Sequence, residues 1–286
     1  MRLRIAATVF SLCLIVVAVA LFYLGSQATK RLDATVITPP ADLPVRAITL
    51  VDANQRGVKG WAIDVHPNRG AVLLLHGIRA DRRSLVERAR FLSRAGYAVL
   101  MIDLAAHGES DGERITFGYQ EADSVVAATT YARQAWPDKK LAIVGQSLGG
   151  ASSIFAAQRA KADAYVLEAV YSTLHEALEN RLAIRLDRAG RYIAPLLLWQ
   201  VSWRLGFEPD DLSPADKIQH VGAPVLIVTG ENDRRTTIAN SKTLFESARE
   251  PKTFWIVPGA QHQDFHRYDR AAYEQRILTF LSFNLK

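Results

Sequence analysis

The strongest constraint on the fold is a rhythm of short, largely apolar runs separated by segments of helical spacing. AVLLLH (71–76), YAVLMIDL (97–104), LAIVG (141–145), AYVLEAV (164–170), PVLIVTG (224–230) and TFWIVPG (253–259) are such runs. Runs of this length without polar alternation mark strands buried on both faces. Between them, residues 82–95, 118–135, 148–160, 236–249 and 269–283 read as helices, the second stopped by Pro137. Residues 46–51 and 58–65 read as one more strand pair around a turn at 54–57. Strands alternating with helices imply βαβ units, a mainly parallel sheet and helices on both faces. Active residues of such sheets sit on loops at the carboxyl ends of the strands, so the chemistry is expected just after the runs.

Two regions depart from the rhythm. Residues 171–215 form a Leu-rich helical insertion carrying Trp199 and Trp203, placed to cap the strand ends. The tryptophans would pack the cap onto the body, or some of this apolar surface would line an acyl pocket. At the other end, residues 5–24 carry no charge. Twenty helical residues at about 1.5 Å each reach roughly 30 Å, the thickness of a bilayer core. An N-terminal transmembrane anchor is expected over 1–29. Arg2 and Arg4 favour an N-terminus on the cytoplasmic side, leaving the rest extracytoplasmic, although Lys30 and Arg31 weaken that orientation. A signal peptide cleaved after Ala28 is the rival, but its apolar region is usually shorter than this one. Residues 30–44, with Pro39, Pro40 and Pro44, read as a linker, and 45–286 as the folded domain.

The apolar fraction of 49% and charged fraction of 22% suit one sizeable core and argue against disorder. The formal charge of +6 reads as a mildly basic surface, with anionic lipid headgroups the next choice. No basic run interleaved with aromatics supports a nucleic-acid partner. Cys13 is the only cysteine, so neither an intramolecular disulfide nor a cysteine metal site can form. No H-E-x-x-H or G-x-G-x-x-G motif occurs, and no metal or cofactor is expected.

The chemistry centres on Gly145-Gln146-Ser147-Leu148-Gly149-Gly150, between a buried strand and a helix. G-x-S-x-G in that setting forms a nucleophile elbow, where a serine on a sharp turn needs small neighbours two residues away. A serine hydroxyl needs a base, and the base an orienting acid. Asp233 follows the strand at 224–230 and His262 follows the strand at 253–259, in the order Ser, Asp, His. His262 is read as general base and then acid, and Asp233 as its orienting partner. Glu168, at the end of a strand, is a rival acid. His66, His76, His107, His175, His220 and His266 are rival bases. The oxyanion donors are expected to be the backbone N–H groups of Leu148 and Ile78. Asp103, at the start of DLAAHGES (103–110), is read as organising a loop.

Together these segments resemble the α/β-hydrolase superfamily, from about residue 45 to the C-terminus. HG at 76–77 looks like the oxyanion loop, and GQSLGG at 145–150 like the elbow. GENDRRT and AQH, ending at 236 and 262, look like the acid and histidine loops. DLAAHGES is similar to the family's D-x-R-G-H-G-x-S, with Ala105 in place of the arginine. The short cap and anchor resemble the branch that holds BEM46-like proteins and serine aminopeptidase-like hydrolases. The resemblance implies an α/β-hydrolase fold and hydrolysis of an acyl substrate, and the triad with an apolar cap beside a membrane anchor puts a small-molecule or lipid ester first. Peptide or thioester hydrolysis is an alternative, and a catalytically silent membrane module an alternative of another class.

Overall fold

The computed structural model describes residues 1–32, 36–66 and 69–286, with the side chain of Leu3 outside the description. Eight strands form one sheet: β1 (Arg46–Val51), β2 (Gly57–Ile63), β3 (Ala71–Leu75), β4 (Ala98–Ile102), β5 (Leu141–Gln146), β6 (Ala164–Glu168), β7 (Val225–Gly230) and β8 (Lys252–Val257). Their order is β1-β2-β4-β3-β5-β6-β7-β8. β1 and β2 pair antiparallel, as does β2 with β4, and every later pairing is parallel. β3 through β7 are buried along their whole length apart from the half-buried Gln146 that ends β5, which is why their sequences show no polar alternation. The last expected strand is less enclosed, because β8 is the sheet's edge.

Helices α2 (Val86–Arg94), α3 (Glu121–Ala135), α4 (Leu148–Ala160), α8 (Ile238–Ser247) and α10 (Arg270–Asn284) cover the sheet. The core is split into two apolar layers. One contains Leu73, Leu100, Ile143 and Leu167 with residues of α3 and α4. The other contains Leu74, Val99, Val144 and Val166 with residues of α2 and α10. Alternate residues of each strand serve alternate layers, the two-residue period of a strand sandwiched between helices.

Between β6 and β7 the chain makes α5 (Leu174–Leu186), α6 (Gly190–Leu205) and a short α7 (Pro214–Lys217). A separate small apolar cluster, Leu174, Leu198, Val201, Phe207 and Leu212, holds this excursion together. The N-terminal helix α1 runs Arg2–Thr29. Of the segment expected as a linker, 33–35 lie outside the described residues. Its remainder is fastened in places, with Ile37 and Leu43 buried. A four-residue helix, α9 (Phe265–Tyr268), precedes α10.

Two histidines lie fully buried where β3 and β4 end. The Leu104 N–H donates to His76 Nε2 at 3.1 Å, so Nδ1 carries the proton and donates to the Gly77 carbonyl at 2.8 Å. His107 Nδ1 lies 2.9 Å from the Ala105 carbonyl, and among the described residues its Nε2 has no partner. The rings are 5.2 Å apart. Burial makes the imidazolium costly and pushes each down to about 4, and His76 adds to the effect at His107. Both are therefore neutral members of the loop framework. In the unfolded chain both titrate near 6.5. Between pH 6.5 and 4 the unfolded state binds more protons, so stability falls as pH drops through that window. Each histidine accounts for roughly 3 kcal/mol of that fall. Urea midpoints measured from pH 7 down to 4.5 should show it, with a shallower slope for His107→Phe. An unchanged slope in the variant would contradict the assignment.

Candidate functional site

The turn after β5 is built by crowding. A methyl group on Gly145 would lie 2.6 Å from the Gly150 nitrogen. One on Gly149 would lie 2.6 Å from Leu75 Cβ and 2.8 Å from the His76 carbonyl. One on Gly150 would lie 2.3 Å from Val170 Cγ2. Only hydrogen fits at these positions, so the amino end of α4 reaches the ends of β3 and β5. Ser147, between them, is held at φ 49° and ψ −109°, a conformation L-residues avoid. Such strain costs on the order of 1–3 kcal/mol and persists only where the surroundings enforce it. The Ser147 N–H donates to the Glu168 carbonyl at 2.7 Å, tying the turn to β6.

Asp233 and His262 come together as the sequence order required. His262 Nδ1 lies 2.7 Å from Asp233 Oδ2. The other carboxylate oxygen of Asp233 accepts from the Arg235 and Thr236 N–H groups at 2.8 and 2.9 Å. Asp233 is buried, while His262 remains slightly open to solvent. With Nδ1 turned to the acid, the imidazole has Nε2 free for other work. The loops holding this pair pack on each other, because a methyl on Gly230 would lie 2.5 Å from the Ala260 carbonyl. The histidine loop also meets the elbow. Gln146 Nε2 donates to the Gln263 carbonyl at 3.3 Å, joining the neighbours of Ser147 and His262.

Gly77 closes the third side. A methyl on it would lie 3.8 Å from Ser147 Cβ, so the backbone after β3 passes directly beside the serine. Leu148 opens α4, where a helix's first N–H groups have no partner within the helix. Among the described residues, neither the Leu148 nor the Ile78 N–H has a protein acceptor.

The rivals are occupied elsewhere. Glu168 Oε2 lies 2.8 Å from Arg88 Nη1, and its other oxygen accepts from the Tyr273 hydroxyl. Arg88 also binds Asp264 at 2.8 Å. Burial pushes the Glu168 carboxyl up while Arg88 pulls it down. His266 pairs with Glu274 at 2.9 Å. His175 is exposed on α5, and His220 is exposed at the end of the short 3₁₀ turn that follows α7. Asp103 is a loop organiser: it accepts from the backbone N–H groups of Arg82 and Glu109 at 2.8 and 2.9 Å. The guanidinium that ties this loop comes from Arg82, which pairs with Asp103 and Glu109 and lies 4.7 Å from the Trp61 ring. It therefore does not need to come from position 105. Sequence reasoning passed over Arg82 and Arg88, whose surroundings read as ordinary helical charge.

One expectation is corrected: Trp199 and Trp203 do not pack the cap onto the body. They are 72% and 51% exposed, on the outside of α6. An open cleft of about 800 Å³ lies on another face, bounded by Arg56, Tyr119, Asp123 and Lys217, and includes none of the residues beside Ser147.

Residues 66–204 match a family described as serine aminopeptidase, S33, a span that contains the elbow. Among curated proteins, an uncharacterized Bacillus subtilis protein, YqkD, is 22% identical over 82% of this chain and 78% of its own. The human protein ABHD12B is 26% identical over 67% of this chain and 55% of its own. Among solved structures, an esterase of Pyrococcus furiosus superimposes with a TM-score of 0.74 at 18% identity, covering 90% of this chain and 99% of that one. A Xanthomonas campestris protein described as an α/β serine hydrolase without a lid gives a TM-score of 0.58 at 16% identity, covering 87% and 98%. With this sheet order and these structural neighbours, the chain has the α/β-hydrolase fold, and its residues 66–204 are similar to the serine aminopeptidase, S33, family.

Proposed function

We propose that the protein hydrolyses an ester-type acyl substrate through Ser147, His262 and Asp233. The observation that carries the reading is the 2.7 Å contact of His262 with Asp233 on a loop joined to the strained turn of Ser147. Ser147 Oγ attacks the acyl carbonyl while His262 Nε2 takes its proton. Asp233 holds the imidazole with its proton on Nδ1 and stabilises the imidazolium that forms. The Leu148 and Ile78 N–H groups bind the tetrahedral oxyanion. Collapse of that intermediate expels the alcohol, which takes the proton from His262. Water, deprotonated by the same imidazole, then releases the acid and restores Ser147.

An N-terminal membrane anchor belongs to the same reading. Helix α1 is long and apolar enough from Arg4 to Thr29 to cross a bilayer, and its most apolar stretch is not buried in the protein. Arg2 and Arg4 before the apolar stretch favour an extracytoplasmic catalytic domain. A peptidase reading draws on the description of the matched family. A panel of p-nitrophenyl esters against aminoacyl amides separates the two.

Ser147→Ala should lower ester turnover by a factor on the order of 10⁶ and abolish labelling by a fluorophosphonate probe. A wild-type chain that the probe does not label would favour a silent membrane module instead. Asp233→Asn should cost on the order of 10⁴ in kcat. Glu168→Gln should act mainly on stability, because it strips the charge that compensates buried Arg88. Its urea midpoint should drop while kcat stays within about ten-fold of wild type. The opposite ranking of the two variants in kcat would make Glu168 the acid.

A further inference from the structure

Helix α6 presents a continuous apolar stripe to the outside. Tyr192, Leu196, Trp199 and Trp203 recur at spacings of four, three and four residues and are 67%, 50%, 72% and 51% exposed. Exposed large side chains on one helical face are costly in water and call for a cover. The stripe continues onto α1. Trp203 stacks with Phe22 at 6.0 Å between ring centroids and 15° between planes. Gln200 donates to the Leu21 carbonyl at 3.1 Å, and Arg204 donates to the Phe22 carbonyl at 2.7 Å and to Ser26 Oγ at 2.9 Å. The two helices therefore meet at the carboxyl end of the apolar stretch, where a span leaves hydrocarbon. Ile184 and Leu186 add exposed apolar surface on α5. Arg185, Arg188 and Arg191 lie exposed beside them. Between residues 181 and 204 there are five arginines against one acid, Asp187.

Aromatic residues at the exit of a span, flanked by arginines, match the bilayer interface, where rings sit at headgroup level and guanidiniums meet lipid phosphates. We infer that the outer face of α6 docks into the lipid leaflet from which α1 emerges, so that the site takes its acyl substrate from that leaflet. This rests on reading α1 as a membrane anchor. The loops around Ser147 lie on the same side of the molecule. The Ile115 N–H donates to the Thr29 carbonyl at 2.9 Å, and the Leu32 N–H to the Ala106 carbonyl at 3.3 Å. Arg79, next to Ile78, donates to the Gln27 carbonyl. The exit of the span is thus hydrogen-bonded to the loops that follow β3 and β4.

The test uses the full chain in vesicles of phosphatidylcholine and phosphatidylglycerol with brominated acyl chains. Trp61 and Trp136 are buried and Trp255 is half-buried in the body. Lipid bromine should therefore quench emission mainly from Trp199 and Trp203, and the quenched fraction should fall by more than about half in W199F/W203F. Resistance to carbonate extraction reports separately whether α1 is integrated. An integrated chain whose Trp199 and Trp203 are quenched by aqueous iodide and not by brominated lipid would overturn the docking. A chain that carbonate removes would overturn the anchor and the docking together. A kinetic arm adds the substrate. W199S/W203S should lose about ten-fold in hydrolysis of a vesicle-borne long-chain ester and keep its rate on a short soluble ester. Equal rates for variant and wild type on both esters, or equal losses on both, would overturn delivery from the leaflet. The quenching arm reads no activity, so it stands whether or not the ester reading does.

Discussion

The closeness of α4 to the ends of β3 and β5 governs the arrangement of the site. That approach exists because Gly145, Gly149 and Gly150 have no side chains where any carbon would strike backbone or Val170. It forces Ser147 into a left-handed conformation and lifts it out of the strand line. The strain is sustained by the Ser147 N–H bond to the Glu168 carbonyl and by the helix that follows. The same approach leaves the Leu148 N–H at an open helix terminus beside the strand ends. The strained Ser147 turn and the open Leu148 N–H, nucleophile and oxyanion donor in the proposed reaction, thus arise from one steric fact. The parallel order β5-β6-β7-β8 then sets the acid and histidine loops along the same edge of the sheet.

The polar framework behind this edge is held in charge balance. Arg88 bridges Glu168 on β6 to Asp264, two residues after His262, so the histidine loop is braced from below. The Tyr273 hydroxyl on α10 satisfies the other Glu168 oxygen. A carboxylate so enclosed is retained only because a guanidinium is enclosed with it. On the neighbouring side, Arg82 performs the same service for Asp103 and Glu109. Two arginines therefore stiffen the loops on either side of Ser147 without touching it.

Much of this was legible in the sequence. β3 to β7 were readable because burial leaves near-continuous apolar runs, β8 from its apolar run despite its place at the edge, and β1 and β2 as a pair around a turn, with errors confined to ends. The run at 164–170 stops at Glu168, since Ala169 turns to φ 48°. The run at 82–95 begins as a 3₁₀ turn capped by Asp81. The Asp233 and His262 loops were legible because order along the chain maps onto order along a parallel sheet. Arg82 and Arg88 were not, because an arginine in an amphipathic helix looks the same whether it meets water or a buried carboxylate. Nor were the neighbours of Trp199 and Trp203, which depend on how α6 meets α1 across about 180 residues of chain. No periodicity encodes a contact of that range.

The joint between α1 and the body has a mechanical meaning. Backbone bonds at Thr29 and Leu32, with Arg31 donating to the Ser110 and Gly112 carbonyls, leave almost no slack between the helix and the loops it adjoins. A domain on a slack tether would tumble and sample every orientation above its support. This one is mounted like a lens on a fixed stalk, aimed in one direction. If the stalk stands in a bilayer, encounter with a lipid-borne molecule becomes lateral diffusion in a plane, with the rotational part of the search settled when the chain folds.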